Sequence, residues 1–170
     1  MEKVQHTLEP FYRKDSEILI LGTMPSPKSR ALGFYYMHKQ NRFWKIMEFY
    51  AQQSLDTIEK KKDFLEEYKI ALYDVLESCE IKGASDASIK KAKPTDLKVI
   101  LDVANIKHIY TTGTKANQLF KKYQEKTTGL KAIPLPSTSG ANAKMSLDEL
   151  ILAYSIIFNG EIGNEKRSSI

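Results

Sequence analysis

The sequence predicts an α/β fold, a three-layer sandwich with a central four-stranded parallel sheet flanked by helices. Three observations lead there. Short apolar runs at 18–21, 70–75, 107–112 and 131–135 alternate with longer segments of helical periodicity. The first run stops abruptly at Gly22, the third at Gly113 and the fourth at Pro136-Ser137, as strands buried on both faces do where they hand over to a loop. The βαβα order, with right-handed crossovers, makes a parallel sheet the economical arrangement. With 42% hydrophobic residues in 170, and with no internal repeat or linker, residues 1–158 are expected to form one domain and 159–170 a frayed polar tail.

The elements follow in order. Residues 1–15 are polar with Leu8, Phe11 and Tyr12 as anchors, and read as an irregular arm with nothing catalytic in it. The first strand, 18–21, opens a long loop over 22–43. Helix 41–52 places Phe43, Trp44, Met47 and Tyr50 on one face, so Trp44 reads as core. Helix 55–68 is more exposed, with Lys60, Lys61 and Lys62 on a solvated face. Strand 70–75 presents Asp74 at its end, and a lone carboxylate among apolar residues needs partners. The segment 83–88 offers Ser85, Asp86 and Ser88 as backbone or phosphate contacts, with a plain surface loop equally consistent. A short helix over 96–104, a strand over 107–112 and a helix over Thr114–Tyr123 come next; His108 reads as structural. The strand at 131–135 runs into PSTSGANAK, a glycine-containing, hydroxyl-rich loop suited to phosphate. Helix 146–158 closes the fold, opened by a capping box of Ser146 and Glu149.

Composition excludes several classes. Cys79 is the one cysteine, so intrachain disulfides and cysteine-based zinc sites are ruled out, and His6, His38 and His108 have no ligand spacing. No metal and no cofactor are expected. No run reaches the length of a membrane span and MEKVQHTLEP has no apolar signal core, so a soluble, cytoplasmic protein is expected; a monomer is expected as well. Lys and Arg total 26 against 21 Asp and Glu, a net charge of +5 that suits a polyanionic partner. Two strand-end loops, 22–43 and 135–144, with Asp74 between them, are the candidate site. Loops as long as 22–43 are usually functional or disordered, and its aromatic content speaks against disorder.

Four ordered segments carry a resemblance: GTMPS at 22–26, GFYYMHKQNRFW at 33–44, IALYDVLESCEIKGASDASI at 70–89 and LPSTSGANA at 135–143. Together they resemble the uracil-DNA glycosylase superfamily. The hypoxanthine (deoxyinosine) DNA glycosylase branch matches best, and the mismatch-specific uracil and thymine glycosylases are nearer than the main uracil enzymes. The resemblance implies a monofunctional glycosylase that hydrolyses the N-glycosidic bond of hypoxanthine, uracil or both in DNA containing a deaminated base. Two positions depart from the pattern. Met24 stands where the main and mismatch-specific enzymes carry Asp or Asn, and Leu135 where the main enzymes carry His. In the hypoxanthine branch the catalytic role moves to the Asn before Phe-Trp, here Asn41, though the branch's usual His-Pro-Arg-Asn is His38-Lys39-Gln40-Asn41 in this chain.

The implied roles are specific. Asn41 orients the attacking water through its amide oxygen, Tyr36 stacks on the flipped base, and Asp74 accepts a hydrogen bond from a base ring N–H. Backbone amides near Thr23 and Met24 support a base carbonyl. Ser137, Thr138 and Ser139 grip flanking phosphates, with Ser85 as a further DNA contact, and Gly140, Ala141 and Asn142 press into the duplex. Met24 and Leu135 favour an alternative, a non-catalytic nucleic-acid-binding protein that keeps the fold. A small-molecule nucleoside hydrolase on a flavodoxin-like sheet ranks last, because no P-loop or dinucleotide fingerprint is present.

Overall fold

The computed structural model describes residues 2–82 and 85–159. In chain order the elements are β1 (Glu2–Gln5), β2 (Ile18–Gly22), α1 (Pro27–Leu32), α2 (Phe43–Ala51), α3 (Ile58–Glu67), β3 (Ile70–Asp74), β4 (Leu76–Lys82) and β5 (Ser85–Pro94). They continue with α4 (Lys98–Leu101), β6 (His108–Thr112), α5 (Thr114–Tyr123), α6 (Glu125–Thr128), β7 (Ala132–Leu135), α7 (Leu147–Ala153) and α8 (Ser155–Phe158).

The predicted parallel sheet is present, in the order β3-β2-β6-β7. Every residue of β2 is buried, because the strand is covered on both faces. Ile18 and Ile20 face one core with Phe43, Trp44 and Met47 from α2. Leu19 and Leu21 face the other with Ile100, Ala116 and Phe120 from α4 and α5. These are the three layers. From β2 the chain goes to β3 on one side and then crosses to β6 on the other. Such a reversal of direction opens a crevice at the strands' carboxyl ends, here Gly22, Asp74, Thr112 and Leu135.

Several local expectations change. Residues 2–5 are a strand rather than an irregular arm, and 76–82 and 85–94 are antiparallel strands, so that 85–88, within the segment offered as a surface loop, is strand; together they form a second, antiparallel sheet in the order β1-β4-β5. Its apolar content is thin. Val4, paired with Cys79, is the buried residue of β1, and Leu76, Cys79 and Ile81 are those of β4. The β4–β5 register shifts three times, which breaks the period-two alternation a reader of sequence relies on. The 22–43 loop contains α1, capped at its start by the Ser26 side chain and ended by Gly33 in the left-handed region (φ 80°). The closing helix divides at Tyr154, although the Ser146–Glu149 capping box forms as expected. Of the segments read above, 83–84 and 160–170 lie outside the described residues. Among the described residues no helix is long and apolar enough to cross a membrane.

Candidate active site at the carboxyl edge of the parallel sheet

A cleft of about 520 Å³ opens at that edge. It gathers Thr23, Met24, Tyr36, Asn41, Asp74, Ser85, Ser137, Thr138, Ser139 and Gly140, which is every site residue expected from sequence except Asn142. Its floor depends on Gly22. A Cβ there would lie 2.6 Å from Asp74 Oδ1, 3.2 Å from the Tyr36 hydroxyl and 3.5 Å from Thr112 Oγ1. Only a residue without a side chain lets these polar atoms converge.

Asp74 is buried, and its partner comes from the arm that was expected to be inert. His6 Nε2 lies 2.8 Å from Asp74 Oδ2. His6 itself is seated by its backbone N–H, which donates to the Glu77 carbonyl at 2.7 Å as an extension of the β1–β4 pairing. Behind Asp74, the Thr95 hydroxyl donates to the Asp74 carbonyl at 2.8 Å, and Gln124 Nε2 donates to the Thr95 carbonyl at 2.9 Å. This buried chain anchors the end of β3.

Tyr36 adopts a left-handed backbone (φ 58°), unusual for a residue other than glycine. One face of its ring stacks on Phe43, with centroids 4.0 Å apart and planes at 11°, and the residue lines the cleft. Its hydroxyl lies 3.3 Å from Thr112 Oγ1. Burial, and then the Asp74 charge, push the phenol well above its ordinary range, so it stays a neutral O–H.

Asn41 requires a correction at the atomic level. Its Oδ1 accepts from the Phe43 backbone N–H at 2.9 Å and from the Thr138 hydroxyl at 2.8 Å. A carbonyl oxygen has two lone pairs, so the amide oxygen is committed and cannot orient water. Nδ2 is the group that remains for the cleft. Thr138 is corrected for the same reason: it is 2% exposed, and its hydroxyl ties the two loops together instead of gripping phosphate. Asn142 braces its own loop, donating from Nδ2 to the Ser137 carbonyl at 3.0 Å, and stands outside the cleft lining. Ser137, Ser139 and Gly140 remain at the rim. Gly140 passes so close to Gln40 that an added Cβ would lie 2.9 Å from the Gln40 Cβ.

Sequence reasoning passed over Arg42. Its guanidinium donates to the carbonyls of Met145, Ser139 and Asn142, and its backbone N–H donates to the Thr138 carbonyl at 2.9 Å. One side chain therefore clamps the 136–145 loop onto the start of α2. No local pattern announces this, since the partners are about a hundred residues away. Asp86, read earlier as a surface contact, also lines the cleft. The residue keeps solvent contact, but the protein crowding its carboxyl pushes it above the ordinary carboxylate range. The Lys115 charge opposes that rise, the Asp74 charge adds to it, and the Thr23 hydroxyl opposes it. Among the described residues no group of His, Cys, Asp and Glu is arranged to hold a metal ion.

The profile of the Uracil DNA glycosylase superfamily matches residues 9–154, most of the chain and all of the parallel sheet. The chain belongs to the uracil DNA glycosylase superfamily. Two relatives are named hypoxanthine DNA glycosylase. The Methanosarcina barkeri protein is 29% identical over 140 residues, covering 79% of this chain and 86% of the relative. The Methanosarcina acetivorans protein is 30% identical over 138 residues, covering 78% and 85%. The solution NMR structure of a candidate uracil DNA glycosylase from Methanosarcina acetivorans superposes with a TM-score of 0.73 at 26% identity, over 90% of this chain and 98% of that one. Membership in the superfamily sets the coarse activity class, DNA glycosylase. Within it, this chain's Met24 is a half-buried wall of the cleft and Leu135 is core. Polar chemistry must therefore come from other positions than those two.

Proposed function

We propose that this protein removes deaminated bases from DNA, hypoxanthine foremost, by hydrolysing the N-glycosidic bond of a base rotated out of the helix. The observation that carries the reading is the convergence of three residues in one cleft: Asp74 on the floor, Tyr36 with its ring stacked on Phe43, and Asn41 with its amide oxygen already bonded. The +5 charge supports approach to a polyanion.

In this reading the base enters against the Tyr36 ring, already backed by Phe43, and its ring N–H donates to Asp74 Oδ1. The backbone amides of Thr23 and Met24 meet a base carbonyl. As the bond to the sugar lengthens, negative charge grows on the departing base and positive charge on the sugar. Asn41 Nδ2, its oxygen fixed by Phe43 and Thr138, donates to that growing negative charge, a role for which no reorganisation is needed. The sugar cation demands only a held water, and Asp86 takes the proton the water loses. Ser137, Ser139 and Ser85 contact flanking phosphates, and Gly140 with Ala141 fills the space the base has left.

The test is a panel of duplex oligonucleotides, each with one hypoxanthine, uracil or xanthine, treated with purified protein and then alkali. Strand breaks at the lesion are expected, fastest for hypoxanthine. Absence of breaks on every lesion, with duplex binding retained, would overturn the enzymatic reading in favour of the binding-only one that Met24 suggests.

A further inference from the structure

His6 and Asp74 form a closed pair: their side chains are 3% and 5% exposed. Tyr73 meets the imidazole edge-on with ring centroids 5.1 Å apart, and Tyr35 lies at 6.1 Å. The direction of the hydrogen bond within the pair is set from outside. The Leu8 backbone N–H donates to His6 Nδ1 at 3.3 Å, so Nδ1 carries no hydrogen. The ring hydrogen is therefore on Nε2, and it is donated to Asp74 Oδ2 at 2.8 Å. Oδ1, on the Gly22 side of the carboxylate, is left as a pure acceptor.

We propose that His6 is a positioning residue that keeps Asp74 acceptor-only and so makes the pocket select bases with a ring N–H beside a carbonyl. Hypoxanthine, uracil and xanthine present that N–H. Adenine and cytosine present a ring-nitrogen lone pair beside an amino group, and a lone pair facing a carboxylate oxygen leaves both unpaired. A site built around a hydrogen bond rejects partners lacking it by about 10⁴ or more. The inference rests on the glycosylase reading above, and adds what sets the selectivity of that site.

The deciding experiment uses four variants of the full chain, His6→Leu, His6→Gln, Asp74→Asn and the double variant His6→Leu/Asp74→Asn, under single-turnover conditions on hypoxanthine and adenine duplexes. His6→Leu removes a hydrogen bond to a charged group, and is expected to slow hypoxanthine release by about tenfold to a hundredfold while narrowing the hypoxanthine-to-adenine ratio. His6→Gln keeps a donor near the position of Nε2, and is expected to recover most of both. In Asp74→Asn the His6 hydrogen holds the amide oxygen, turning its NH₂ toward the base, so hypoxanthine release is lost. In the double variant the amide is free to rotate and present its oxygen, and hypoxanthine release is expected to return in part. A merely structural His6 would make the double variant worse than either parent, and that result overturns the proposal.

The tautomer is read separately, from the imidazole nitrogen shifts of the free wild-type protein. Hydrogen on Nε2 alone supports the proposal, and hydrogen on Nδ1 overturns it. If wild type cleaves no lesion, the glycosylase reading fails by itself. The proposal falls with it as a statement about selectivity, whatever the tautomer.

Discussion

One wall of the cleft, made by the parallel sheet and the loops 22–42 and 136–145, is tied together by part-buried hydrogen bonds and a ring stack. Asn41 holds Thr138, Arg42 holds three carbonyls of the opposite loop, and Tyr36 is pinned between Phe43 and Thr112. The opposite wall, where β4 ends and β5 begins, reaches the cleft with Lys82, Ser85 and Asp86, all exposed, on strands whose register shifts three times. The first wall is preorganised, so groups that must be in place before bond cleavage belong there. The second is thin in apolar contacts, with no residue of β5 buried. The sheet of β4 and β5 nonetheless reaches through to the floor, since β1 seats His6 behind Asp74.

The largest effect should come from the preorganised wall. Asn41→Ala is expected to slow base release by about a hundredfold or more, while the melting temperature moves by only a few degrees. Single-turnover rates and a thermal melt check this. Gly22→Ala comes next. The new methyl would sit 2.6 Å from Asp74 Oδ1, so the carboxylate must shift, and a loss of about tenfold to a hundredfold in kcat/KM is expected. A near-normal rate for either variant breaks the claim that this wall needs its geometry.

Asp86→Asn tests the other wall, with an expected loss of about threefold to tenfold. Its pH profile is more telling. Protein crowded around the otherwise exposed carboxyl raises it, so wild type should lose the carboxylate's contribution as pH falls through a range above that of an ordinary aspartate, and the variant should lack that limb. An unchanged profile would remove Asp86 from the chemistry. The smallest effect belongs at the far end of β2. Glu17 lies 2.7 Å from Lys107 Nζ, and hydrogen bonding to Lys107 holds its carboxyl below the usual range. A lowered folded value means stabilisation that is full above the unfolded carboxyl range and is lost as pH falls through the folded value. Being close to solvent, the pair contributes under about 1 kcal/mol. Glu17→Gln should therefore lower the melting temperature slightly at pH 7, lose that difference in acid, and leave base release untouched.

Much of this was legible before any coordinates. The run Ile18–Gly22 is wholly buried because apolar residues on both faces of a strand require cover on both faces. Helix α5 spans the residues its periodicity marks, and Ser146 caps α7 through Glu149. The two strand-end loops and Asp74 do meet in one cleft. The antiparallel sheet was illegible because Glu2–Gln5 carries a single buried residue and β5 carries none; such strands are held by pairing, which composition does not report. Thr138 was read as a phosphate contact because a hydroxyl in a small-residue loop looks the same whether it faces solvent or Asn41.

By itself, the sequence determined the layers, the four parallel strands, the edge on which the candidate cleft opens and the superfamily to which the chain belongs. Those properties are written in local periodicity and in ordered motifs, each carried by neighbouring residues. Tertiary structure alone decided which atom of Asn41 faces the cleft, that Arg42 clamps the second loop, and that His6 stands behind Asp74 across 68 residues. A hydrogen bond has a direction and a range of about 3 Å, and only the folded chain states which donor comes within it.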